Sequence, residues 1–195
     1  MPVPRNIYGT TKTAAENLCE LIARDDGLPC VILRTSRFFP EPDDRDEVRR
    51  VYDDLNLKVN ELLYRRVDIE DVVSAHLLAL ERAPTIGFGR YIISATSPFT
   101  RDDVAAIRQD LPSVVARLFP DYEQVYARRG WRMFPSIERV YVNDLARREL
   151  GWSPRYDFRF ALDRLRHGND PRSRLALSIG AKGYHEVSTG VYTAR

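Results

Sequence analysis

Residues 11–34, TKTAAENLCELIARDDGLPCVILR, contain a helix pattern followed directly by a strand pattern. Between residues 11 and 24 the apolar side chains recur at intervals of three and four, which predicts an amphipathic helix. Gly27 stands where such a helix is expected to end. Residues 30–33, CVIL, are apolar and partly β-branched, which predicts a buried strand. A helix followed by a buried strand is typical of α/β proteins.

Helix and strand patterns continue to alternate along the rest of the chain, and this order predicts an α/β fold. Strands are predicted at residues 89–94 and 140–142, and helices within residues 47–63 and at residues 70–82, 101–109, 112–129 with a break at Pro120, 143–151 and 157–168. The helix over residues 70–82 is apolar nearly all round, so we expect it to be well buried.

Length and composition exclude several classes of protein. The chain has 195 residues, 44% of them hydrophobic and 30% charged, with a formal net charge of +2. This balance is that of a globular protein, and no run reaches the roughly 18–20 apolar residues of a membrane span. Arginine pairs occur, but the nearly neutral charge argues against nucleic-acid binding. Two cysteines and the lack of an apolar signal segment favour a reducing, cytoplasmic location.

Tyr8 and Lys12 are the candidate catalytic residues. At a spacing of four they lie on one face of a helix, so the ammonium group can approach the phenol oxygen. A nearby cation lowers the pKa of a tyrosine from its ordinary value of about 10, because it stabilises the phenolate. A tyrosine in such a setting can act as general acid or base on an alcohol or carbonyl. The alternative is an exposed pair at an ordinary helix start.

The sequence around this pair, and several strings downstream, resemble one enzyme family. The chain is similar to the extended short-chain dehydrogenases/reductases, the NAD-dependent epimerase/dehydratase family. The similar strings follow the family's order: PRNIYGTTKTAAE (residues 4–16), LPCVILR (28–34), VDIEDVVSA (67–75), GRYIIS (89–94) with FTRDD (99–103), and LGWSPRYDF (150–158). The resemblance implies the C-terminal part of a Rossmann-like, doubly wound fold with a smaller substrate-binding α/β region.

The resemblance also implies roles for particular residues. Tyr8 would exchange a proton with the substrate hydroxyl or carbonyl, and Lys12 would hold the nicotinamide ribose. Thr35 and Ser36 would lie beside the nicotinamide of NAD or NADP. The substrate would be a small molecule, with a sugar nucleotide as one possibility. In the family the helix that carries the tyrosine commonly lies at a dimer interface, so we expect a homodimer or other homo-oligomer.

The chain departs from the family at two positions that bear on the substrate. Arg37 replaces the asparagine of the common string Asn-Val-Tyr-Gly-Pro, and Asp68 stands where a histidine is frequent. Contacts known from sugar-nucleotide enzymes therefore do not transfer directly. Arg37, Arg65, Arg66 and Arg139 are candidates to bind a phosphate or carboxylate, because arginine is a bidentate anion binder. Surface ion pairing is the alternative for each of them.

A glycine-rich turn between a strand and a helix, which a dinucleotide site needs, is missing from the sequence. We therefore expect the C-terminal half of such an enzyme, inactive by itself. Residues 1–36 would be a remnant of the dinucleotide-binding domain, residues 37–168 mainly the substrate-binding region, and residues 169–195 an irregular tail. The alternative is a non-catalytic binding or interaction module that retains only the substrate-binding half.

Overall fold

The computed structural model describes Pro4 and residues 6–179. Its elements are α1 (Ile7–Asp25), β1 (Cys30–Thr35), α2 (Asp46–Val51), α3 (Asp54–Glu61), α4 (Ile69–Ile86), β2 (Phe88–Ile93), α5 (Val104–Ile107), α6 (Leu111–Leu118), α7 (Tyr122–Ala127), a π-helical segment (Ala146–Leu150), α8 (Phe158–Arg166) and α9 (Arg174–Ile179). In this part of the chain no helix combines the length and apolar character needed to cross a bilayer.

The two strands form a parallel sheet, and the connection between them contains α4. Cys30 pairs with Phe88, and the register continues to Thr35 with Ile93. A parallel pair joined by a helical crossover is the unit from which doubly wound sheets are built. The predicted α/β class is confirmed, as are two of the three predicted strands, those at residues 30–33 and 89–94.

Helices cover both faces of this sheet. Alternate side chains of a strand point to opposite faces. On one face Val31 and Tyr91 pack with Val72 of α4 in an apolar cluster that also contains Trp152. On the other face Arg90 of β2 forms ion pairs with the carboxylates of α1. The sheet is therefore the middle layer between α1 and α4.

A second, larger apolar cluster lies away from the sheet and is built mainly from helices. It joins α3, α6, α7 and α8, with Leu63, Val115 and Phe158 almost fully buried. Asp157 caps α8 by accepting a hydrogen bond from the Phe160 amide, as the sequence predicts for a helix starting there. This cluster holds α3 and the segment after it in place beside the end of β1.

Helix α4 is less buried than predicted. Val73, Leu77 and Leu80 are exposed, the last at 76%. One face of α4 packs on the sheet and α9 also contacts the helix, but the described part of the chain leaves these three side chains uncovered. An apolar pattern on all sides of a helix predicts that every face is buried, but it does not identify the element that covers each face.

Three further expectations differ from the structure. Residues 140–142 do not form a strand; the Tyr141 amide makes a single backbone hydrogen bond, to the carbonyl of Tyr64. The helix predicted at residues 143–151 is a π-helical segment over Ala146–Leu150, and the Asn143 side-chain amide before it donates to the Ser94 carbonyl at 2.9 Å. Within the predicted irregular tail, residues 174–179 form α9, and residues 180–195 lie outside the described part.

Candidate active site

The first turn of α1 presents Tyr8 and Lys12 on one exposed face. Asn6 caps the helix, and its side chain accepts a hydrogen bond from the Gly9 amide at 2.8 Å. Tyr8 is 60% exposed. The Lys12 ammonium lies 5.4 Å from the centre of the Tyr8 ring, a cation–π arrangement with the cation over the aromatic face. The predicted pairing of these two side chains is present, although the structure places the ammonium at the ring and gives no hydrogen bond to the hydroxyl.

Helix α1 runs antiparallel to β1, and this sets where Tyr8 lies. Cys30 at the start of the strand is beside Cys19, whereas Arg34 near its carboxyl end binds Glu16 with 2.8 Å between Nε and Oε1. Tyr8 precedes Glu16 by eight residues, which corresponds to about 12 Å along the helix. The first turn of α1 therefore extends beyond the carboxyl end of β1, where α/β sheets bind their ligands.

The ion pair between Arg34 and Glu16 also lowers the pKa of Glu16. The hydrogen bond from Arg34 holds the pKa of this carboxyl below its ordinary value, with a further contribution from Arg90. Arg90 donates to Glu20 at 2.6 Å, one turn further along α1. These contacts attach α1 to the sheet through charged groups, and the described residues of α1 are all at least partly exposed.

Thr35 and Ser36 lie at the carboxyl end of β1, as predicted. The side chain of Thr35 is exposed, whereas Ser36 is buried. The Ser36 amide donates to the Ile93 carbonyl at 2.8 Å, which extends the pairing of the two strands. Among the described residues, the buried Ser36 hydroxyl oxygen has no hydrogen-bond partner. A buried polar atom of this kind is normally paired with water or a ligand, so this strand end has an unused polar group.

Three of the four candidate arginines converge on one buried carboxylate that the sequence reasoning missed. Glu61, with 1% of its side chain exposed, accepts from Arg37 at 2.8 Å and from Arg65 and Arg66 at 2.9 Å each. Arg37 also binds Asp43 at 2.7 Å. We call these five residues the Glu61 cluster. The spacing of Glu61 and Arg65, four apart on a helical turn, is the one sequence signal that points to it.

Titration within the Glu61 cluster follows from burial and charge. Burial alone would raise the pKa of Asp43, but hydrogen bonds from the Arg45 amide and the Arg37 guanidinium hold it below its ordinary value. Burial lowers the pKa of Arg66, against the attraction of Glu61. The cluster contains three cations and two anions, with Arg37 and Arg65 each more than one-third exposed. The ion pairs of the Glu61 cluster therefore fix its arginine side chains in place beside the end of β1.

The other two residues of interest have local roles. Arg139 is 61% exposed and lies 3.8 Å from Glu138, so it is not brought to the Glu61 cluster. Asp68 caps α4 by accepting from the Glu70 amide at 2.8 Å, and it also accepts from the Ser173 amide at 3.1 Å. A capping carboxylate explains why an acidic residue is suitable at position 68.

A cleft of about 320 Å³ opens beside the Glu61 cluster, and we call it the apolar cleft. Most of its wall is apolar, and the charged groups along it are Glu41, Lys58, Arg66, Asp68 and Arg172. It begins at Phe38, just after the end of β1. The sequence did not predict it, because its walls come from parts of the chain that are distant in sequence.

The described residues do not provide a complete dinucleotide site. Five glycines have positive φ, and each follows the end of a helix; they are Gly27, Gly87, Gly130, Gly151 and Gly168. A pyrophosphate cradle instead needs glycines between a strand and the start of a helix. Among the described residues, none of the glycines with positive φ lies between a strand and the start of a helix, so none of them forms such a cradle. The same part contains no group of three side chains suited to hold a metal ion.

Comparison with known proteins finds a similarity to one family. The model of the NAD dependent epimerase/dehydratase family matches residues 1–93, which contain α1, both strands and the Glu61 cluster. Over these residues, which are just under half of the chain, the sequence is similar to this family. The family name gives NAD as its cofactor. No curated protein matches the chain.

Solved structures similar to the chain include two sugar-nucleotide epimerases. UDP-N-acetylglucosamine 4-epimerase from Bacillus cereus is 18% identical with a TM-score of 0.48, and the match covers 84% of this chain and 51% of that one. UDP-glucose 4-epimerase from Thermotoga maritima, solved with UDP-glucose, is 21% identical with a TM-score of 0.46, covering 86% and 56% respectively. The chain thus spans about half the length of these two enzymes.

Proposed function

We propose that the chain carries the acid–base helix and part of the substrate site of an NAD(P)-dependent epimerase, dehydratase or oxidoreductase acting on a hydroxyl or carbonyl group. The observation that carries this proposal is the pair Tyr8 and Lys12. Both side chains are exposed on one face of α1, beyond the carboxyl end of β1. The match of the epimerase/dehydratase family model to residues 1–93 supports it.

In this proposal Tyr8 moves the proton. Its hydroxyl oxygen takes a proton from a substrate alcohol, or returns one to a carbonyl oxygen. Lys12 stabilises negative charge on that oxygen by Coulomb attraction, and binds ribose hydroxyls of the cofactor. Thr35 and Ser36 contact the nicotinamide end. Arg37 and Arg65 are proposed to contact the substrate at the exposed edge of the Glu61 cluster. Arg66 is a weaker candidate because only 11% of its side chain is exposed, and Arg139 is weaker because it lies elsewhere.

The catalytic role of Tyr8 is tested by substitution in a polypeptide that joins this chain to a dinucleotide-binding segment. Turnover is measured with NAD and UDP-glucose, since a sugar nucleotide is the first substrate to try. Tyr8→Phe should lower kcat by on the order of 10²–10⁴-fold, the usual value of a general acid or base. Tyr141→Phe is the matched control and should keep wild-type kcat. Near wild-type turnover by Tyr8→Phe would refute the assignment.

The cofactor proposal is that the 195-residue chain alone binds NAD(H) or NADP(H) weakly and turns over no substrate. The described residues offer groups for the nicotinamide ribose but no phosphate cradle. Calorimetric titration with each cofactor should give a dissociation constant weaker than the micromolar range. Nicotinamide mononucleotide should perturb the backbone amides of Tyr8 and Thr35, whereas AMP should not. A micromolar constant for the whole dinucleotide would contradict this proposal.

A second candidate function is that of a non-catalytic binding or interaction module that retains only the substrate-binding half. That half is mainly residues 37–168 in the domain division predicted above. The missing phosphate cradle favours it for the chain taken alone. The nicotinamide mononucleotide titration separates the two candidates, because a module without a catalytic role has no reason to bind the nicotinamide end at Tyr8.

The proposal also includes the oligomeric state of the chain and its location in the cell. We propose a cytoplasmic homo-oligomer, most simply a two-fold dimer, that buries the exposed apolar side chains Ile7, Leu18 and Leu21 of α1. Light scattering at micromolar concentration should give about twice the 22.5 kDa mass of the chain. Leu18→Asp should shift the population toward monomer, because it places a charge in the buried interface. A wild-type monomer of 22.5 kDa would refute the dimer.

A further inference from the structure

The apolar cleft is assembled from five separated parts of the chain, one of which contributes only Tyr156. Its walls are the loop after β1, one face of α3, the segment leading into α4, and α9 with the turn before it. The apolar side chains that meet there include Phe38, Leu55, Leu62, Ile69 and Ile179. A volume of about 320 Å³ lies at the lower end of the range for small-molecule sites in proteins.

The cationic groups along the cleft are already engaged by partners within the protein. Lys58 binds Asp54 at 2.6 Å and also donates to the Pro40 carbonyl. Arg66 binds Glu61 at 2.9 Å and donates to the Phe39 carbonyl at 2.6 Å. Lys58 and Arg66 keep only 12% and 11% of their side chains exposed, so neither can turn freely toward a ligand.

Two further charged groups along the cleft, those of Asp68 and Arg172, are engaged in the same way. Both carboxylate oxygens of Asp68 accept backbone hydrogen bonds, from Glu70 and Ser173. Arg172 binds Asp170 at 2.7 Å. A sugar or nucleotide needs several polar groups that converge on it, since each of its buried hydroxyls must find a partner. These polar groups are instead occupied, and the surface left for a ligand is mainly hydrocarbon.

We propose that the apolar cleft binds an uncharged, largely apolar small molecule of about the size of two fused aromatic rings. The size follows from the volume, about twice that of the ~150 Å³ cavity that holds one benzene. A charged ligand is disfavoured, because burying a charge beside ion pairs that are already complete costs free energy without a new partner. This proposal concerns binding alone and stands whether or not Tyr8 is catalytic.

The probe is 2-naphthol, observed through the methyl resonances of the wild-type, full-length chain. The resonances of Ile69 and Ile179 should shift in a saturable way, with a dissociation constant on the order of 100 µM, an affinity typical for about eleven non-hydrogen atoms. Ile107 lies in the other apolar cluster, is 1% exposed and serves as the internal control. Its resonance should not move. Contacts between the naphthol ring protons and the Ile179 methyls should appear as intermolecular NOEs.

Two substitutions on one short helix then test the location. Ala176 lines the cleft, whereas the neighbouring Leu177 does not and is 47% exposed. Ala176→Phe should fill the space and weaken binding at least tenfold, and Leu177→Phe should leave it within twofold. The wild-type NOEs report the location independently if Ala176→Phe does not fold.

Charge and polarity of the ligand are tested with two further probes. Naphthalene-2-sulfonate, of similar shape but charged, should bind at least tenfold more weakly than 2-naphthol. UDP-glucose should leave the Ile69 and Ile179 methyls unchanged. The proposal is overturned if 2-naphthol shifts no cleft methyl at millimolar concentration, if it shifts Ile107 equally, if the sulfonate binds as well, or if UDP-glucose occupies the cleft.

Discussion

Replacing Asp71 by asparagine should remove a pH-dependent component of the stability. Asp71 lies in the first turn of α4, is 2% exposed, and accepts hydrogen bonds from the backbone amides of Arg155 at 2.9 Å and Tyr156 at 3.0 Å. Burial raises the pKa of Asp71 from 3.8 to about 6, and the two amide hydrogen bonds oppose this rise without cancelling it. The carboxyl group therefore holds its proton more tightly in the folded than in the unfolded protein.

The sign and size of the effect follow from linkage. Where the folded state binds more protons than the unfolded state, the free energy of unfolding falls as pH rises. The contribution of Asp71 is thus complete below about pH 3.8 and is lost as pH rises through about 6. The difference between the pKa of 3.8 in the unfolded state and about 6 in the folded state corresponds to about 3 kcal/mol of unfolding free energy, at 1.36 kcal/mol per pKa unit.

The assay is urea unfolding between pH 3.5 and 8 for wild type, Asp71→Asn and Asp102→Asn. The amide cannot ionise, so the stability of Asp71→Asn relative to wild type should rise by about 3 kcal/mol across this range. One lost hydrogen bond shifts the whole difference curve down by about 1 kcal/mol without changing its slope. Asp102 is exposed, and its variant should show a flat difference. A flat or falling curve for Asp71→Asn would refute the reasoning.

Three further predictions concern the Glu61 cluster, the cysteines and one glycine. Glu61→Gln leaves the buried Arg66 guanidinium without its anion and should cost about 3–5 kcal/mol in urea unfolding. A loss below about 1 kcal/mol would contradict this. Burial and the neighbouring Cys19 raise the pKa of the Cys30 thiol, so alkylation of Cys30 by iodoacetamide, measured by mass spectrometry, should stay slow until the pH passes 9. Cys19→Ser should speed this alkylation. An unchanged alkylation rate of Cys30 in Cys19→Ser would argue against an effect of Cys19 on Cys30. A Cβ atom at Gly89 would lie 2.6 Å from the Tyr91 ring, so Gly89→Ala should lower the free energy of unfolding by about 1–3 kcal/mol. An unchanged Tm in thermal unfolding would show that the ring moves freely.

The candidate site was partly predictable because some of its geometry is local. Tyr8 and Lys12 are four apart on a helix whose periodicity is visible in the sequence, so their shared face needs no tertiary information. The position of Thr35 and Ser36 at the end of β1 was also predictable, because the strand is recognisable in the sequence, and their contact with the nicotinamide stays a prediction. Glu61 was missed. Its partner Arg37 is 24 residues away, and nothing in the spacing of these two residues indicates their contact.

The sequence by itself determined the helix and strand patterns, the α/β class and the pair at the start of α1, because hydrogen bonding in helices and side-chain alternation in strands repeat over a few residues. Tertiary structure decided which faces of α4 are covered, which arginines meet Glu61, and that a cleft opens beside them. These features depend on contacts between distant segments, where packing and the pairing of buried charges select among arrangements that the local patterns allow equally. The apolar cleft is the clearest case, since its walls include Phe38 and Ile179, which are far apart in the chain.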